Sequence, residues 1–166
     1  MKKGFTLIEL IVVIGIIAIL VSAVLFIINP IAQFQKANDG RRKSDLAQMQ
    51  RALEQYYQDR GKYPSQSGYK IVDFKTNKPI SWGSSWQPYM NVLPNDPSSP
   101  SKSYVYYVSA DGQTYWIYAS LDRVNDTGLC NGGQLCTNYQ INNISGSPCG
   151  TGVTCDYGVS STNTTP

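Results

Sequence analysis

Residues 1–28 read MKKGFTLIELIVVIGIIAILVSAVLFII, and this stretch decides the architecture of the chain. The nineteen residues from Leu10 to Ile28 carry no charge. As a helix that rises about 1.5 Å per residue they span roughly 28 Å, close to the roughly 30 Å of a bilayer's hydrocarbon core. The sequence therefore predicts a transmembrane helix. Lys2 and Lys3 precede it and favour an N-terminus in the cytoplasm, although three cations at 41–43 weaken the charge asymmetry.

Three other interpretations of this stretch compete with that one. A secretory signal peptide, cleaved near Val21-Ser22-Ala23, would have a shorter apolar region of about 7 to 15 residues. A plain membrane anchor explains the length but not the presence of Glu9 at the start of the apolar run, where an ionised carboxylate needs a partner. A lipoprotein leader is excluded because no cysteine lies near the start. The position of Glu9 therefore favours an N-terminal signal of a more specific kind than these three.

Lys2-Lys3-Gly4 followed by Phe5-Thr6-Leu7-Ile8-Glu9-Leu10 resembles the class III signal of type IV pilins and type II secretion pseudopilins. In that family a membrane aspartyl peptidase cuts after the glycine and methylates the new amino terminus. The resemblance implies cleavage between Gly4 and Phe5, N-methylation of Phe5, and a role for Glu9 in assembly and axial register. The chain then divides into a leader (1–4), a transmembrane and filament-core helix (5–28), an amphipathic continuation of the helix (29–60) and a globular β head with a disulfide-bearing C-terminal region (61–166).

The residues after the apolar stretch predict that the helix continues. Pro30 lacks an N–H group and crowds the carbonyl four residues earlier, so we expect a bend near Asn29, or an end to the helix there. Further on, apolar residues recur at three- and four-residue intervals on one face: Leu46, Met49, Leu53, Tyr56 and Tyr57. The mixed-charge patch at 39–45 is expected either to pair with neighbouring subunits or to be solvated. Gly61 predicts that the helix ends at Arg60.

The head is predicted to be a small antiparallel sheet. Tyr104 to Ser109 and Tyr115 to Ser120 are rich in aromatic and branched residues, and Asp111-Gly112 between them is a strong hairpin signal. Because two strands alone are marginal, we expect a third, at Tyr69 to Phe74, and a mobile tail from Ser160 to Pro166. The predicted fold class is α+β: a long N-terminal transmembrane helix whose C-terminal half carries the sheet, as the pilin-like resemblance also implies.

The four cysteines predict two disulfide bridges. They form two pairs, each with five intervening residues, in a region rich in Gly, Asn and Ser: Cys130, Cys136, Cys149 and Cys155. A segment with little core gains from cross-links outside the reducing cytoplasm. A four-cysteine zinc site is the rival, but its ligands usually lie two to four residues apart. We favour pairing within each close pair and leave cross-paired connectivities open.

Composition argues against catalysis and against strong binding of nucleic acid. The chain contains no histidine, which removes the commonest general base and metal ligand. Its formal charge is +3, of which Lys2 and Lys3 supply two, so removal of the first four residues leaves about +1. Phosphate-binding glycine loops and nucleotide fingerprints are missing from the sequence. We expect a protein without enzymatic activity and without a cofactor.

One loop carries weak calcium candidates. Asp122, Asn125 and Asp126 follow the second predicted strand, and closely spaced oxygen-bearing side chains can bind calcium. Major pseudopilins of similar outline carry calcium in a loop after such strands, but the pattern here departs from theirs. We therefore expect solvated turn residues and no resident metal.

These features predict a structural subunit, a pilin of a type IV pilus-like surface filament. Two alternatives stay open: a pseudopilin of a type II secretion or DNA-uptake system, and a minor tip subunit that acts as an adhesin or DNA receptor. The precursor is expected in the cytoplasmic membrane and the mature subunit in an extracellular filament. The implied partners are a prepilin peptidase/methyltransferase, identical or related subunits, an inner-membrane assembly platform with its ATPase, and membrane lipid before assembly.

Overall fold

The computed structural model of the chain describes residues 4–162 and 164–166, without the side chains at 23 and 25–28. Lys2 and Lys3 of the predicted leader lie outside the described residues. The chain begins with two long helices, α1 at Leu7–Ile28 and α2 at Pro30–Arg60. Among its described residues, the head has five strands, one short α-helix and a 3-10 helix at Cys130–Gly132: β1 at Gln66–Ser67, β2 at Lys70–Ile71, β3 at Val105–Val108, β4 at Tyr115–Ala119, α3 at Thr137–Ile141 and β5 at Tyr157–Ser160.

Helix α1 is apolar and exposed. Thr6 caps its N-terminus, and each of its side chains that the structure describes lies at the surface. Within the described part of the chain, no helix reaches the length and apolarity expected of a membrane span. The span predicted from Leu10 to Ile28 includes the side chains at 23 and 25–28, which lie outside that part, so the span stays a prediction.

The predicted disturbance near Pro30 is a full interruption between two helices. Asn29 adopts a left-handed conformation, with φ of 38° and ψ of 79°, and its side-chain oxygen accepts a hydrogen bond from the Ala32 N–H at 3.4 Å. Pro30 becomes the first residue of α2, a position where the missing N–H has no helical partner to lose. The continuous helix favoured from the sequence is therefore divided at Asn29. Helix α2 begins anew at Pro30 and ends at Arg60 as predicted, where Gly61 has a φ of 71°.

Strands β3, β4 and β5 form an antiparallel sheet in the order β3-β4-β5. The predicted hairpin is confirmed, because β3 pairs with β4 around a turn in which the Gly112 N–H donates to the Ser109 carbonyl at 2.9 Å. The third strand was predicted at the wrong place. A tight turn with positive φ at Gly68 and Tyr69 folds β2 back on β1 as a separate pair. The position beside β4 is taken by β5 instead.

The core lies between α2 and the inner face of the sheet. Leu46, Met49 and Leu53 are completely buried, as the predicted stripe requires, and they pack with residues of β3 and β4. Ile117 at the centre of β4 lies opposite Tyr106 on one side and Val159 on the other. Full burial of such a side chain stabilises the fold by about 1.5–3 kcal/mol relative to exposure. The head is therefore built on α2.

The outer face of the sheet is covered by the cysteine-bearing segment. The structure pairs Cys130 with Cys136 and Cys149 with Cys155, which is the connectivity that the sequence favours. Three of these cysteines are buried beside β3 and β4. The tail predicted to be mobile is attached here, because Ser160 lies in β5 and the Trp116 indole N–H donates to the Thr165 carbonyl at 2.9 Å. Both faces of the sheet are thus covered.

Candidate assembly site

The peptide bond between Gly4 and Phe5 is open to solvent. Gly4, Phe5 and Thr6 precede the first helical residue, and the Phe5 side chain is 88% exposed. A Cβ built on Gly4 would meet no atom within 4 Å. Non-helical, exposed backbone is the form in which a peptidase can bind a cleavage site. The geometry is therefore compatible with the cut that the resemblance implies.

Glu9 forms a capping box with Thr6 at the start of α1. Its carboxylate accepts hydrogen bonds from the Thr6 N–H and the Thr6 hydroxyl, each at 2.8 Å. In return, the Thr6 hydroxyl accepts from the Glu9 N–H at 3.3 Å. The positive end of the helix dipole also favours a carboxylate at this position. A threonine three residues before a glutamate is the sequence signature of this cap.

The apolar surface of α1 has no cover within the described chain. Glu9 is the only ionisable side chain between Phe5 and Gln35. Beyond the helix interruption, Ile31 and Phe34 are also exposed. A helix that is apolar on all sides is normally buried in lipid or among other helices. This surface is consequently expected to be covered by lipid or by other helices.

A second constellation lies at the base of the head, around Arg42. This arginine is completely buried on α2 and reaches three carboxylates. Its Nε is 2.8 Å from Asp96, and its Nη1 is 3.0 Å from Asp39 and 2.9 Å from Asp122. Its Nη2 donates to Asp96 and to the Ser98 hydroxyl. The expectation that the patch at 39–45 is solvated or paired with other subunits is wrong for its buried members, because the head of the same chain pairs with them.

The loop after β4 completes this constellation. Asp39 accepts from the backbone N–H groups of Asp122 and Arg123, at 2.7 and 3.1 Å. Lys102 donates to Asp122 at 2.6 Å. Asp126 forms ion pairs with Lys43 and Arg123. We call the eight charged residues the Arg42 cluster: Asp39, Arg42, Lys43, Asp96, Lys102, Asp122, Arg123 and Asp126.

The pKa shifts in the cluster follow from these ion pairs. Burial alone would raise the pKa of Asp122, but hydrogen bonds from Lys102 and Arg42 outweigh it and hold that pKa below its ordinary value. The pKa of Asp126 is lowered first by its hydrogen bond from Lys43. Burial would lower the pKa of Arg42, yet Asp96 and Asp122 raise it overall. Asp122, Asp126 and Arg42 therefore stay charged at neutral pH.

The weak calcium candidates do not fit a calcium ion. Asp122 and Asp126 each face two side-chain cations, and Asn125 between them is exposed. In the part of the chain that the structure describes, no group of three or more His, Cys, Asp or Glu side chains could hold a metal ion. A calcium site needs several oxygens free of competing positive charge. The two carboxylates of the loop instead form ion pairs with side-chain cations.

Part of the Arg42 cluster has a signal in the sequence, in the spacing of the charged residues on α2. Arg42 lies four residues before Leu46, and Asp39 lies three residues before Arg42. Both therefore continue the buried stripe of α2 toward its N-terminus. Charged residues on the apolar face of an amphipathic helix indicate partners in the same core. Asp96, which pairs with Arg42, had no local signal because it lies in an irregular loop.

Comparisons with known proteins give two family matches. Residues 29–127 match the model of the type II secretion system (T2SS), protein G, and residues 1–25 match the prokaryotic N-terminal methylation motif. The type II secretion system core protein G of Escherichia coli (strain K12) is 34% identical over 98 residues, which are 58% of this chain and 66% of that protein. The protein of the same name from Pectobacterium carotovorum subsp. carotovorum is 35% identical over 98 residues, 58% of this chain and 62% of its own.

The match thus spans slightly less than two thirds of each of these relatives. The match to the family model ends at residue 127 of this chain, before the four cysteines and β5. No solved structure shows a significant match to the chain.

Proposed function

Because the chain belongs to the type II secretion system protein G family, we propose that it is a structural subunit of a filament of the type IV pilin and pseudopilin kind. The relatives favour the pseudopilin alternative over a pilus on the cell surface. In this proposal the subunit performs no catalysis. Its work is to bring α1 into a helical bundle and to carry the head on the outside.

The exposed apolar surface of α1 is the observation that carries this proposal. The head buries its own core on α2, whereas each described side chain of α1 remains exposed. A bilayer before assembly and neighbouring α1 helices after assembly offer surroundings of similar apolarity. Because this exchange brings little net driving force, we assign the work of extraction to an inner-membrane assembly platform and its ATPase.

Processing is the step that converts the precursor into an assembling subunit. We propose that residues 1–4 hold the precursor with its N-terminus in the cytoplasm. A prepilin peptidase cuts the exposed bond after Gly4, and methylation then gives an N-methylated Phe5. The new amino group is a cation close to Glu9, the only carboxylate of α1. Cleavage and assembly are thereby linked through one pair of charges.

Mass spectrometry of the N-terminus tests the processing step. The mature protein from cells that make the filament should begin at Phe5 and carry one additional methyl group. The Gly4→Val variant should accumulate as precursor, because a branched side chain replaces the smallest residue next to the cut. Gly15→Val is the matched control, since Gly15 is also an exposed glycine with no atom within 4 Å of a built Cβ. It should be cleaved normally.

The same strains separate the pseudopilin from its alternatives. If the chain serves secretion, uncleaved Gly4→Val should abolish export of the secreted proteins, and filaments should be missing from wild-type surfaces at normal expression. Abundant surface filaments made mainly of this chain would favour the pilin instead. A mature protein that begins at Met1, or after Ala23, would contradict the proposed function itself.

A further inference from the structure

The loops on both sides of the β3–β4 hairpin meet at one buried side chain. Asp96 and Ser98 lie in the loop that leads into β3, and Asp122 lies in the loop that leaves β4. All three contact the Arg42 guanidinium, which α2 holds with no exposed surface. We propose that Arg42 is a built-in cation that fixes both loops to α2, so that this head keeps its loops in place without a divalent metal.

The charges of the Arg42 cluster are balanced. It contains four carboxylates and four side-chain cations, joined by ion pairs across α2 and both loops. Calcium added to this neutral set would bring two further positive charges next to Arg42 and Lys102. Either the metal would have to displace a buried guanidinium, or it would meet repulsion at short range. The balance of charge therefore argues for an internal cation.

The oxygens of the cluster are also occupied. Both oxygens of Asp96 contact Arg42, and one of them also accepts from the Ser98 N–H at 2.7 Å. The two oxygens of Asp122 are divided between Lys102 and Arg42. Those of Asp126 are divided between Lys43 and Arg123. Calcium needs six to eight oxygen ligands, and in the described cluster these carboxylate oxygens already have nitrogen donors.

The shape of arginine suits this role better than that of lysine. Nε and Nη2 together bind the two oxygens of Asp96 in one loop, while Nη1 reaches Asp39 on α2 and Asp122 in the other loop. Lysine carries its charge on a single nitrogen and cannot reproduce the planar fork. Arg42→Lys should therefore keep the charge but release part of the anchoring. Arg42→Met should leave buried carboxylates without their central partner, which is strongly destabilising.

Thermal unfolding of the full chain in detergent micelles tests the proposal, with calcium chloride or excess EDTA as the two conditions. The wild-type Tm should agree between them to within about 1 °C. Arg42→Met should lower the Tm by about 10 °C, and Arg42→Lys by about half as much. Arg41→Met is the matched control, because the Arg41 side chain is 62% exposed and its ion pair with Asp45 is long, at 3.8 Å. Its Tm should stay within about 2 °C of the wild type.

Two results would overturn the proposal. One is a wild-type Tm that rises in calcium, or saturable calcium binding in a calorimetric titration of the wild-type chain. The other is an Arg42→Met variant as stable as Arg41→Met. If Arg42→Met does not fold, Arg42→Lys against Arg41→Met decides the same question. None of these measurements needs a filament, so their failure is separate from failure of the proposed function.

Discussion

At the scale of single residues, Glu9 places a charged carboxylate in an otherwise apolar helix. An ionised carboxylate in lipid or in an apolar bundle costs a few kcal/mol or more unless it is paired. In the isolated chain, the Thr6 N–H and hydroxyl supply hydrogen bonds to it but no positive charge. The proposed cut after Gly4 creates an amino group on Phe5, which precedes Thr6. Glu9 can then pair with its own terminus or with that of a neighbouring subunit, and the second pairing would set the axial register.

We therefore expect Glu9→Gln to block assembly without harming the head. Glutamine keeps the size and most of the hydrogen bonding to Thr6 but removes the charge. Membrane insertion, the N-terminus at Phe5 and the head disulfides should be unchanged, while filaments seen by electron microscopy should fall at least about tenfold, the effect of losing roughly 1.4 kcal/mol per contact.

Glu54→Gln is the control for that experiment. Glu54 accepts hydrogen bonds from the hydroxyls of Tyr63 and Tyr115 within the head, at 3.0 and 3.3 Å. Its substitution should change head stability slightly and leave filament number unchanged. Normal filaments in Glu9→Gln would show that this charge does not determine register.

At the scale of elements, the sequence predicts secondary structure best where a regular apolar pattern is followed by a clear turn or termination signal. The stripe from Leu46 to Tyr56 and the glycine at 61 define α2, and Asp111-Gly112 defines the hairpin. Strand β5 could not be predicted, because Tyr157-Gly158-Val159-Ser160 has no strong alternation and lies beyond the cysteines. Its position is determined by tertiary contacts with β4 and α2, such as the hydrogen bond from Gln50 to the Ser160 carbonyl at 2.8 Å.

The residues of the candidate sites also differ in whether the sequence alone predicts them. Gly4, Phe5 and Glu9 are recognisable because the signal is local and its spacing is fixed. The pairs that join α2 to the loops in the Arg42 cluster, such as Arg42 and Asp96, are 54 or more positions apart in the sequence, and only the folded chain brings them together. The four cysteines are an intermediate case. Their spacing favours one connectivity, but the pairing itself is seen only in the structure.

Strand β5 gives a sharp stability prediction through Gly158. A Cβ at this position would lie 2.7 Å from the Tyr118 ring on β4, closer than real Cβ contacts. Because Tyr118 is fully buried, the ring cannot move aside freely. Gly158→Ala should therefore reduce the free energy of unfolding by about 1–3 kcal/mol, measured by denaturant titration.

Gly40 in α2 is the matched glycine for this test. A Cβ there meets no atom within 4 Å, and alanine is the better helix former. Gly40→Ala should therefore increase the free energy of unfolding by up to about 1 kcal/mol. Equal effects of the two substitutions would contradict the tight packing of β5 on β4.

At the scale of the whole molecule, the ion pairs at the base of the head determine how stability depends on pH. Hydrogen bonds lower the pKa of Asp122 and Asp126 below the ordinary 3.8, so the unfolded chain takes up protons first. The stability from these two groups is present above about pH 4 and is lost as the pH falls through their folded pKa values. Burial raises the pKa of Asp45 and Asp156, and these groups have the opposite effect.

We expect the contribution of Asp122 and Asp126 to the Tm to be constant from pH 7 to about pH 4.5 and to be lost below about pH 3.8. Lys102→Met removes a donor that lowers the Asp122 pKa, which brings the folded pKa closer to that of the unfolded chain. Its Tm should therefore be lower at pH 7 and should fall less as the pH drops below about 4. Thermal unfolding followed by circular dichroism across this range measures both curves. Identical curves for the variant and the wild type would show that the Lys102 ion pair does not contribute.

The interruption at Asn29 separates the part of the chain that folds from the part that assembles. Each described side chain of α1 is exposed, so α1 adds nothing to the core of the head. Burial on α2 begins at Asp39 and Arg42. A chain that begins at Pro30 should therefore be monomeric without detergent and should unfold within about 2 °C of the full chain in micelles.

A chain that begins at Leu46 should be far less stable, because it keeps most of the apolar stripe but leaves Asp96 and Asp122 without Arg42. Sedimentation and thermal unfolding of the two truncated chains measure these differences. The comparison distinguishes two accounts of the head. If the apolar stripe alone holds the sheet on α2, both chains fold equally well. If the charged base is also needed, as its burial and its position between the two loops imply, only the chain with Asp39 and Arg42 retains the Tm of the whole protein.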